Sequence, residues 1–329
     1  MLIFFLFHGS YALAHLYLFF KIKGGLSMGT TWSFLIALFL FIMAFSPSLI
    51  YFYSLRGGGF LARVFAFFGY TWMGFLILFF FPSVFLDLYN SAVRLGGFLF
   101  KKNLNGFILS PSSSFFIPLA ISVCLTFYGY LRARNPRLKR IIVKTDKLPK
   151  GVKSLRIAQL SDVHLGVIVG GRLLDKVIKK IEEERPELIV STGDLIDGGI
   201  DHIQHLKDKL RRIKAPLGKF AIIGNHEFYT GITRSQEFLE ESGFAVLRGR
   251  GINVNGIINI VGIDDAESRS SKENGGRPLR SEKEILSELP QERFTLLLKH
   301  KPEVNKEALG LFDLQLSGHT HNGQIFPIN

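Results

Sequence analysis

Long apolar runs fill the first 131 positions and then stop, and beyond residue 154 apolar residues recur only in short runs or at helical spacing. Backbone polar groups in hydrocarbon are satisfied only inside a helix or a closed barrel, and a span needs about 20 mostly apolar residues. Four stretches meet that requirement, at 2–20, 32–53, 64–85 and 107–131, and predict a four-helix transmembrane domain over residues 1–131. The first has no basic residue ahead of it and Lys21 and Lys23 behind it, the reverse of a cleavable secretion signal, so it is expected to be retained.

Residues 132–153 are charged, contain Pro136 and Pro149, and read as a basic linker. From 154 to 329 the pattern changes to β-type runs alternating with amphipathic helices. Leu155–Leu160 is followed by Leu173, Leu174, Val177, Ile178 and Ile181 at helical spacing, then by Leu188–Ser191. This is the signature of a βαβ unit. A polar helix is expected near Ile203–Ile213, a strand at Phe220–Ile223 and a helix near Ser235–Glu241. A hairpin turning at Asn255-Gly256 lies between Ile252 and Ile263, and strands follow at Phe294–Leu298 and Leu314–Leu316. The fold class is therefore α/β, a layered domain behind a helical membrane region. The Ser/Gly/Lys-rich stretch Ser268–Arg280 reads as a mobile surface loop.

Charge changes the picture once it is divided along the chain. The formal charge is +13, but residues 1–131 hold 7 Lys+Arg against Asp87 alone, residues 132–153 hold 9 against Asp146, and the rest carries 24 against 25 Asp+Glu. Basicity thus belongs to the membrane part and its exit, as cations at a headgroup surface do. The near-neutral second half lacks the basic stripe that nucleic acid requires. Seven flanking cations (Arg56, Arg63, Arg132, Arg134, Arg137, Lys139, Arg140) against five (Lys21, Lys23, Arg94, Lys101, Lys102) favour a multi-pass protein of the plasma (inner) membrane with its C-terminal domain in the cytoplasm. The single cysteine, Cys124, excludes an internal disulfide and is expected to be inert packing. His8 and His15, seven apart on one helix face, read as neutral residues facing other helices rather than metal ligands.

Metal chemistry in this chain must then use His, Asp, Glu or Asn. Five polar clusters trail the predicted strands: Asp162 and His164 in LSDVHLG, Asp194 in STGDLIDG, Asn225 and His226 in IIGNHEF, His300 in LLLKHKP, and His319 and His321 in LSGHTHNGQ. Strand ends are where α/β folds place ligands. In an extended segment, side chains two apart share a side, so Asp162 with His164 and His319 with His321 can each face one ion. Imidazole, carboxylate and amide oxygen together suit Mn, Fe or Zn rather than calcium. Singly these residues have duller readings, a turn cap for Asp162 or a packed histidine for His300. Jointly, at successive strand ends, they do not.

In that order, DxH, GD, GNHE, a lone His and GHTH resemble the calcineurin-like metallophosphoesterases, and more closely their bacterial membrane-associated phosphodiesterase-type members. The resemblance covers about residues 150–329. It implies a sheet sandwich flanked by helices, and two divalent metal ions as cofactors. One is held by Asp162, His164 and His321, the other by Asn225, His300 and His319, with Asp194 bridging. It further implies that a hydroxide between the metals attacks phosphorus while His226 protonates the leaving group. Gly193, Gly224 and Gly318 would allow close backbone approach. The chain stops at Asn329, eight residues after His321, where family members continue with further strands, so the domain is expected to be truncated at its C-terminus or to close with an exposed edge.

The expected function is thus a membrane-anchored phosphoesterase acting on phosphodiesters or phosphomonoesters, with a phospholipid or lipid-linked substrate favoured by the tether. The competing reading is a non-catalytic, metal-dependent membrane sensor or scaffold that retains the fold. Around the clusters, Glu227 is expected to orient the loop and Asp197 to support Asp194 or start a turn, while Asp264 and Asp265 carry no firm role. Lys299 and Lys301 are either anion-attracting or solvated, and His202 and His205 are surface residues.

Overall fold

The structure, a computed structural model, describes residues 2–55, 60–264 and 280–321. The expected loop at 268–279, Asp265, Arg56 and the chain after His321 lie outside the described residues. The chain divides into two compact units, Met1–Asn135 and Pro136–Asn329.

Unit 1 is helical: α1 (Leu2–Leu26), α2 (Thr30–Ala44), α3 (Ser46–Leu55), α4 (Phe60–Leu99) and α5 (Pro111–Ala133). The second predicted span is divided, because Pro47 lacks the N–H that would continue the helix and fits the first turn of the next one. The third runs much further than its apolar core, through Pro82 to Leu99. Among the described residues, two segments, Arg63–Leu99 and Asn105–Ala133, are long and apolar enough to cross a membrane, not four. Thr30–Ala44 is apolar but shorter.

Several polar side chains in unit 1 are hydrogen-bonded within or between helices. His15 is buried, its Nδ1 donating to the Tyr11 carbonyl at 2.7 Å and its Nε2 accepting from Trp72 Nε1 at 2.9 Å, which fixes a neutral tautomer. His8 reaches Ser48 Oγ at 3.0 Å. Asp87, just beyond the third predicted span, lies within the lengthened α4 and pairs with Lys21 at 2.5 Å. Cys124, expected to be packed, is exposed.

Unit 2 contains β1 (Ile157–Leu160), β2 (Leu165–Gly166), α6 (Gly171–Glu184), β3 (Leu188–Ser191), β4 (Ile196–Asp197), α7 (Ile200–Ile203), α8 (Lys207–Arg212), β5 (Lys219–Ala221), α9 (Asn225–Thr230), α10 (Ile232–Glu241), β6 (Ala245–Val246), β7 (Arg250–Val254), β8 (Ile258–Ile263), α11 (Glu282–Ser287), β9 (Phe294–Lys299) and β10 (Leu314–Leu316). One sheet has the parallel order β1-β3-β5-β6, and a second has the order β10-β9-β8-β7, antiparallel only at the β7–β8 hairpin. That hairpin turns at Asn255-Gly256, both with positive φ, as its sequence predicts. Among the described residues β10 and β7 are the edge strands of their sheet.

Alternation along the strands builds the layers. Leu188, Val190, Phe220 and Ile222 pack against Ile258, Ile260, Leu296 and Leu298 between the sheets. Ile189, Ala221 and Ile223 face the other way, into a second core with Leu174, Ile181, Leu210 and Phe238 of the helices. Val261, Ile263 and Leu297 cover the outer face under Ile285 and Leu286 of α11. The result is helix, sheet, sheet, helix, with strands buried on both faces, which is why they read as near-continuous apolar runs.

The predicted polar helix at 203–213 is broken into α7, a 3₁₀ turn at Gln204–Leu206 and α8. The end of α8 is held by a buried lysine. Lys219 Nζ donates to the carbonyls of Leu210 (2.8 Å), Arg211 (3.3 Å) and Ser242 (2.9 Å), closing the last turns of α8 and α10. Burial lowers its pKa to about 8, so the ammonium is still charged at neutral pH. Lys219→Met leaves three carbonyls without that donor and is expected to lower the unfolding free energy by about 2–4 kcal/mol, read by urea unfolding of the purified chain.

Candidate metal centre

Each predicted cluster sits where a strand has just ended. β1 delivers Asp162 and His164, β3 delivers Asp194, β5 leads to Asn225 and His226 at the start of α9, β9 to His300, and β10 to His319 and His321. The two-apart pairs are not extended, contrary to the alternation argument. Asp162 (φ 51°), His164 (φ 52°), Asp194 (φ 52°), His319 (φ 71°) and His321 (φ 49°) all adopt left-handed backbone. They are five of the nine such non-glycine residues among the described ones, so strain is concentrated here rather than spread over turns. Each costs on the order of 1–3 kcal/mol and persists because surrounding bonds over-determine it. Asp162 N bonds Gly193 O at 3.2 Å, His164 N bonds Asp194 O at 3.0 Å, and His319 N bonds Asp162 Oδ1 at 2.9 Å.

All seven predicted ligands converge. Asp162, His164 and His321 form one group of donor atoms, and Asp194, His300 and His319 another. His321 Nε2 lies 3.2 Å from His164 Nε2 and 3.5 Å from Asp162 Oδ1. In the second group, Asn225 Oδ1 lies 3.0 Å from both His300 Nε2 and His319 Nδ1. Asp194 Oδ2 stands between the groups, 3.2 Å from His300 Nε2 and 3.9 Å from His164 Nε2.

The donor chemistry of this arrangement fits cations. His300 is fully buried and its Nδ1 lies 2.8 Å from the Thr192 carbonyl, which accepts a hydrogen bond from it. A neutral His300 therefore presents a bare lone pair at Nε2, directed at the oxygens of Asn225 and Asp194. Electron-rich atoms facing one another at 3 Å repel unless a cation lies among them. A ligating imidazole whose other N–H donates to a backbone carbonyl is the usual arrangement at a metal.

His226 is absent from those two groups and falls in a third metal-capable one, with His164 and Asp194. Its Nε2 stands 4.0 Å from Asp194 Oδ2, and its Nδ1 bonds Asp197 Oδ1 at 2.8 Å. That hydrogen bond raises the His226 pKa against the opposing effect of burial, with further support from the charge of Asp194. Asp197 thus supports His226, not Asp194, a partnership that the spacing could have hinted at only through the β2–β4 pairing that the sequence pattern does not show.

Glu227 is fully buried and takes three backbone N–H groups, those of Asp194, Gly224 and Ile196, each at 2.9 Å. Burial, reinforced by Asp194, pushes its pKa up to about 7, against the pull of those N–H groups. It pins the Asp194 turn to the start of α9. Gly224 is required at that junction because a Cβ there would meet Asp194 Oδ1 at 2.4 Å. A Cβ on Gly318 would meet Asp162 Oδ2 at 2.4 Å, and one on Gly193 His300 Nδ1 at 2.7 Å. Gly224→Ala is expected to lower metal content more than it lowers the unfolding midpoint, because the displaced group is the carboxylate itself; parallel metal analysis and thermal unfolding check this.

Other residues singled out by the sequence lie elsewhere. Lys299 pairs with Glu282 at 2.8 Å and Asp264 with Arg248 at 2.7 Å, both as enclosed ion pairs rather than site groups. His202 and His205, in α7 and the turn after it, belong to none of the metal-capable groups.

A double sheet sandwich carrying a two-lobed His/Asp/Asn donor set at its strand ends defines an α/β domain with a candidate metal centre. The calcineurin-like phosphoesterase family model matches residues 155–323, and the chain belongs to that family. It is 39% identical over 206 residues to an uncharacterized metallophosphoesterase of Aquifex aeolicus, covering 63% of this chain and 77% of the relative. It is 30% identical over 264 residues to an uncharacterized metallophosphoesterase of Campylobacter jejuni, covering 78% and 68%. A transmembrane protein with metallophosphoesterase domain from Danio rerio is 32% identical over 223 residues, covering 64% of this chain and about half (51%) of that protein.

Proposed function

We propose that the chain is a membrane-anchored, metal-dependent phosphoester hydrolase acting on phosphodiesters or phosphomonoesters. The observation that carries the reading is the convergence of six ligand-type side chains about Asp194, with a carboxylate-supported histidine beside them. Asp162, His164 and His321 would hold one divalent cation and Asn225, His300 and His319 the other, with Asp194 shared. Bound there, such cations would offset the charge of the phosphoryl oxygens and acidify a water toward neutral pH.

The chain's own residues do the rest. Asp197 orients the His226 ring and favours its protonated form, which leaves Nε2 as a donor toward the departing alkoxide. Glu227 holds the Asp194 turn and the Asn225 helix start in one geometry, so the two donor groups keep their spacing without substrate. A docking scaffold has no use for the Asp197–His226 pair, and this favours catalysis over the sensor reading.

Unit 1 supplies the anchor. Two helices long and apolar enough to cross a membrane and the relatives named as transmembrane proteins support a helical membrane anchor, and the basic exit after Ala133 favours a cytoplasmic catalytic unit. Tethering near a bilayer favours lipid-linked phosphodiesters. The purified full chain, supplied with Mn²⁺, is expected to hydrolyse an aryl phosphodiester and a phospholipid-type diester, and to lose both activities on chelation. It is also expected to stay with membranes through an alkaline carbonate wash. Metal loading without turnover of any phosphoester would favour the scaffold instead.

A further inference from the structure

Where α1 and α4 end and α5 begins, unit 1 forms a cavity of about 480 Å³. A second, of about 290 Å³, adjoins it and shares Arg94, Asn105 and Ile108 with the first. Three cations line the pair, Lys21, Arg94 and Lys102, against a single carboxylate, Asp87. Asp87 is already satisfied, by Lys21 Nζ at 2.5 Å and Tyr17 Oη at 2.6 Å. Asn90 is also committed, accepting from Leu109 N at 2.9 Å and donating to Ser114 Oγ at 3.2 Å, which ties the wall of α4 to the start of α5. The walls are therefore built without Arg94. Among the described residues the Arg94 guanidinium makes no hydrogen bond or ion pair, and it lines both cavities.

The surplus charge asks for an anion, and a planar guanidinium suits the paired oxygens of a phosphate. Phe20 and Phe98, which line the two cavities, are 61% and 79% exposed, so apolar surface adjoins the cationic lining on both sides. Free phosphate makes no use of that surface, whereas an acyl chain does. We propose that this cavity pair binds the phosphate headgroup of an anionic membrane lipid, with Arg94 as the anchoring cation. The site belongs to unit 1 and lies at the end of α5 opposite Ala133. The proposal rests on the reading of unit 1 as membrane-embedded, which the carbonate wash tests on its own.

The test is native mass spectrometry of the full chain in mild detergent with dioleoylphosphatidylglycerol, dioleoylphosphatidylcholine or inorganic phosphate added. The anionic lipid is expected to bind at one per chain and to outlast the zwitterionic one. Arg94→Gln is expected to weaken it about tenfold, the value of one charge-assisted contact. Lys101→Gln, which removes a cation at the same end but outside both cavities, is expected to leave binding within about twofold of the parent, as a surface charge does. Equal retention of both lipids, equal loss in the two variants, no loss in Arg94→Gln, or displacement of the lipid by equimolar inorganic phosphate would each overturn the proposal. If the chain instead washes free of membranes in carbonate, the membrane reading itself fails, whatever the variants do.

Discussion

Asp194→Asn is expected to remove most of the bound metal and to lower phosphodiester hydrolysis by about a thousandfold, equivalent to about 4 kcal/mol of transition-state stabilisation. The reason is positional. Asp194 Oδ2 faces His300 in one donor group and His164 in the other, while Oδ1 accepts the His226 N–H at 2.9 Å, so one carboxylate serves both groups and the start of α9. An amide keeps the shape but gives up the negative charge, and with its nitrogen turned inward it places hydrogens among lone pairs. Loss in metal content should parallel loss in rate. Full metal content with full activity in the variant would show that Asp194 is not shared between two ions.

His226→Ala is expected to act differently, keeping most of the metal while turnover falls by about 10²- to 10⁴-fold, the range for removing a general acid. The ring shares a metal-capable group only with His164 and Asp194, each of which also belongs to another group, and its Nδ1 is committed to Asp197. The pH dependence separates this role from simple packing. The Asp197 hydrogen bond raises the His226 pKa, so the protonated donor survives to higher pH than an ordinary histidine. Asp197→Asn removes that support and lowers the pKa, and the alkaline limb of the kcat profile should move to lower pH. A substrate whose leaving group is already a stable anion should lose much less rate in both variants. If His226→Ala lost its metal instead, the ring would be a ligand.

The positions of the candidate side chains were legible in the sequence because strand periodicity and punctuation place them: Asp162, Asp194, Asn225, His300 and His319 each follow a short apolar run that becomes a strand or its end, whereas their grouping about two ions came only from the family resemblance. The pairing of layers was legible in the same way, from runs such as Leu188–Ser191 and Phe294–Leu298 that have no polar face. What the pattern could not show is local backbone conformation. Asp162–His164 and His319–His321 suit an extended strand by spacing, yet both pairs turn through left-handed residues, held by bonds to segments 30 or more positions away. Asp197 was misplaced for a similar reason, since its approach to His226 depends on a two-residue β2–β4 ladder too short to leave a periodic signal. In unit 1, hydropathy located helices but not their ends. Thus Pro47 divides one predicted span, and the lengthened α4 brings Asp87 to Lys21.

The most direct measurement is anomalous diffraction from crystals of the chain grown with Mn²⁺. Two peaks are expected about 4 Å apart on either side of Asp194, one bound by Asp162, His164 and His321 and the other by Asn225, His300 and His319. A single peak, or manganese bound away from these side chains, would contradict the account.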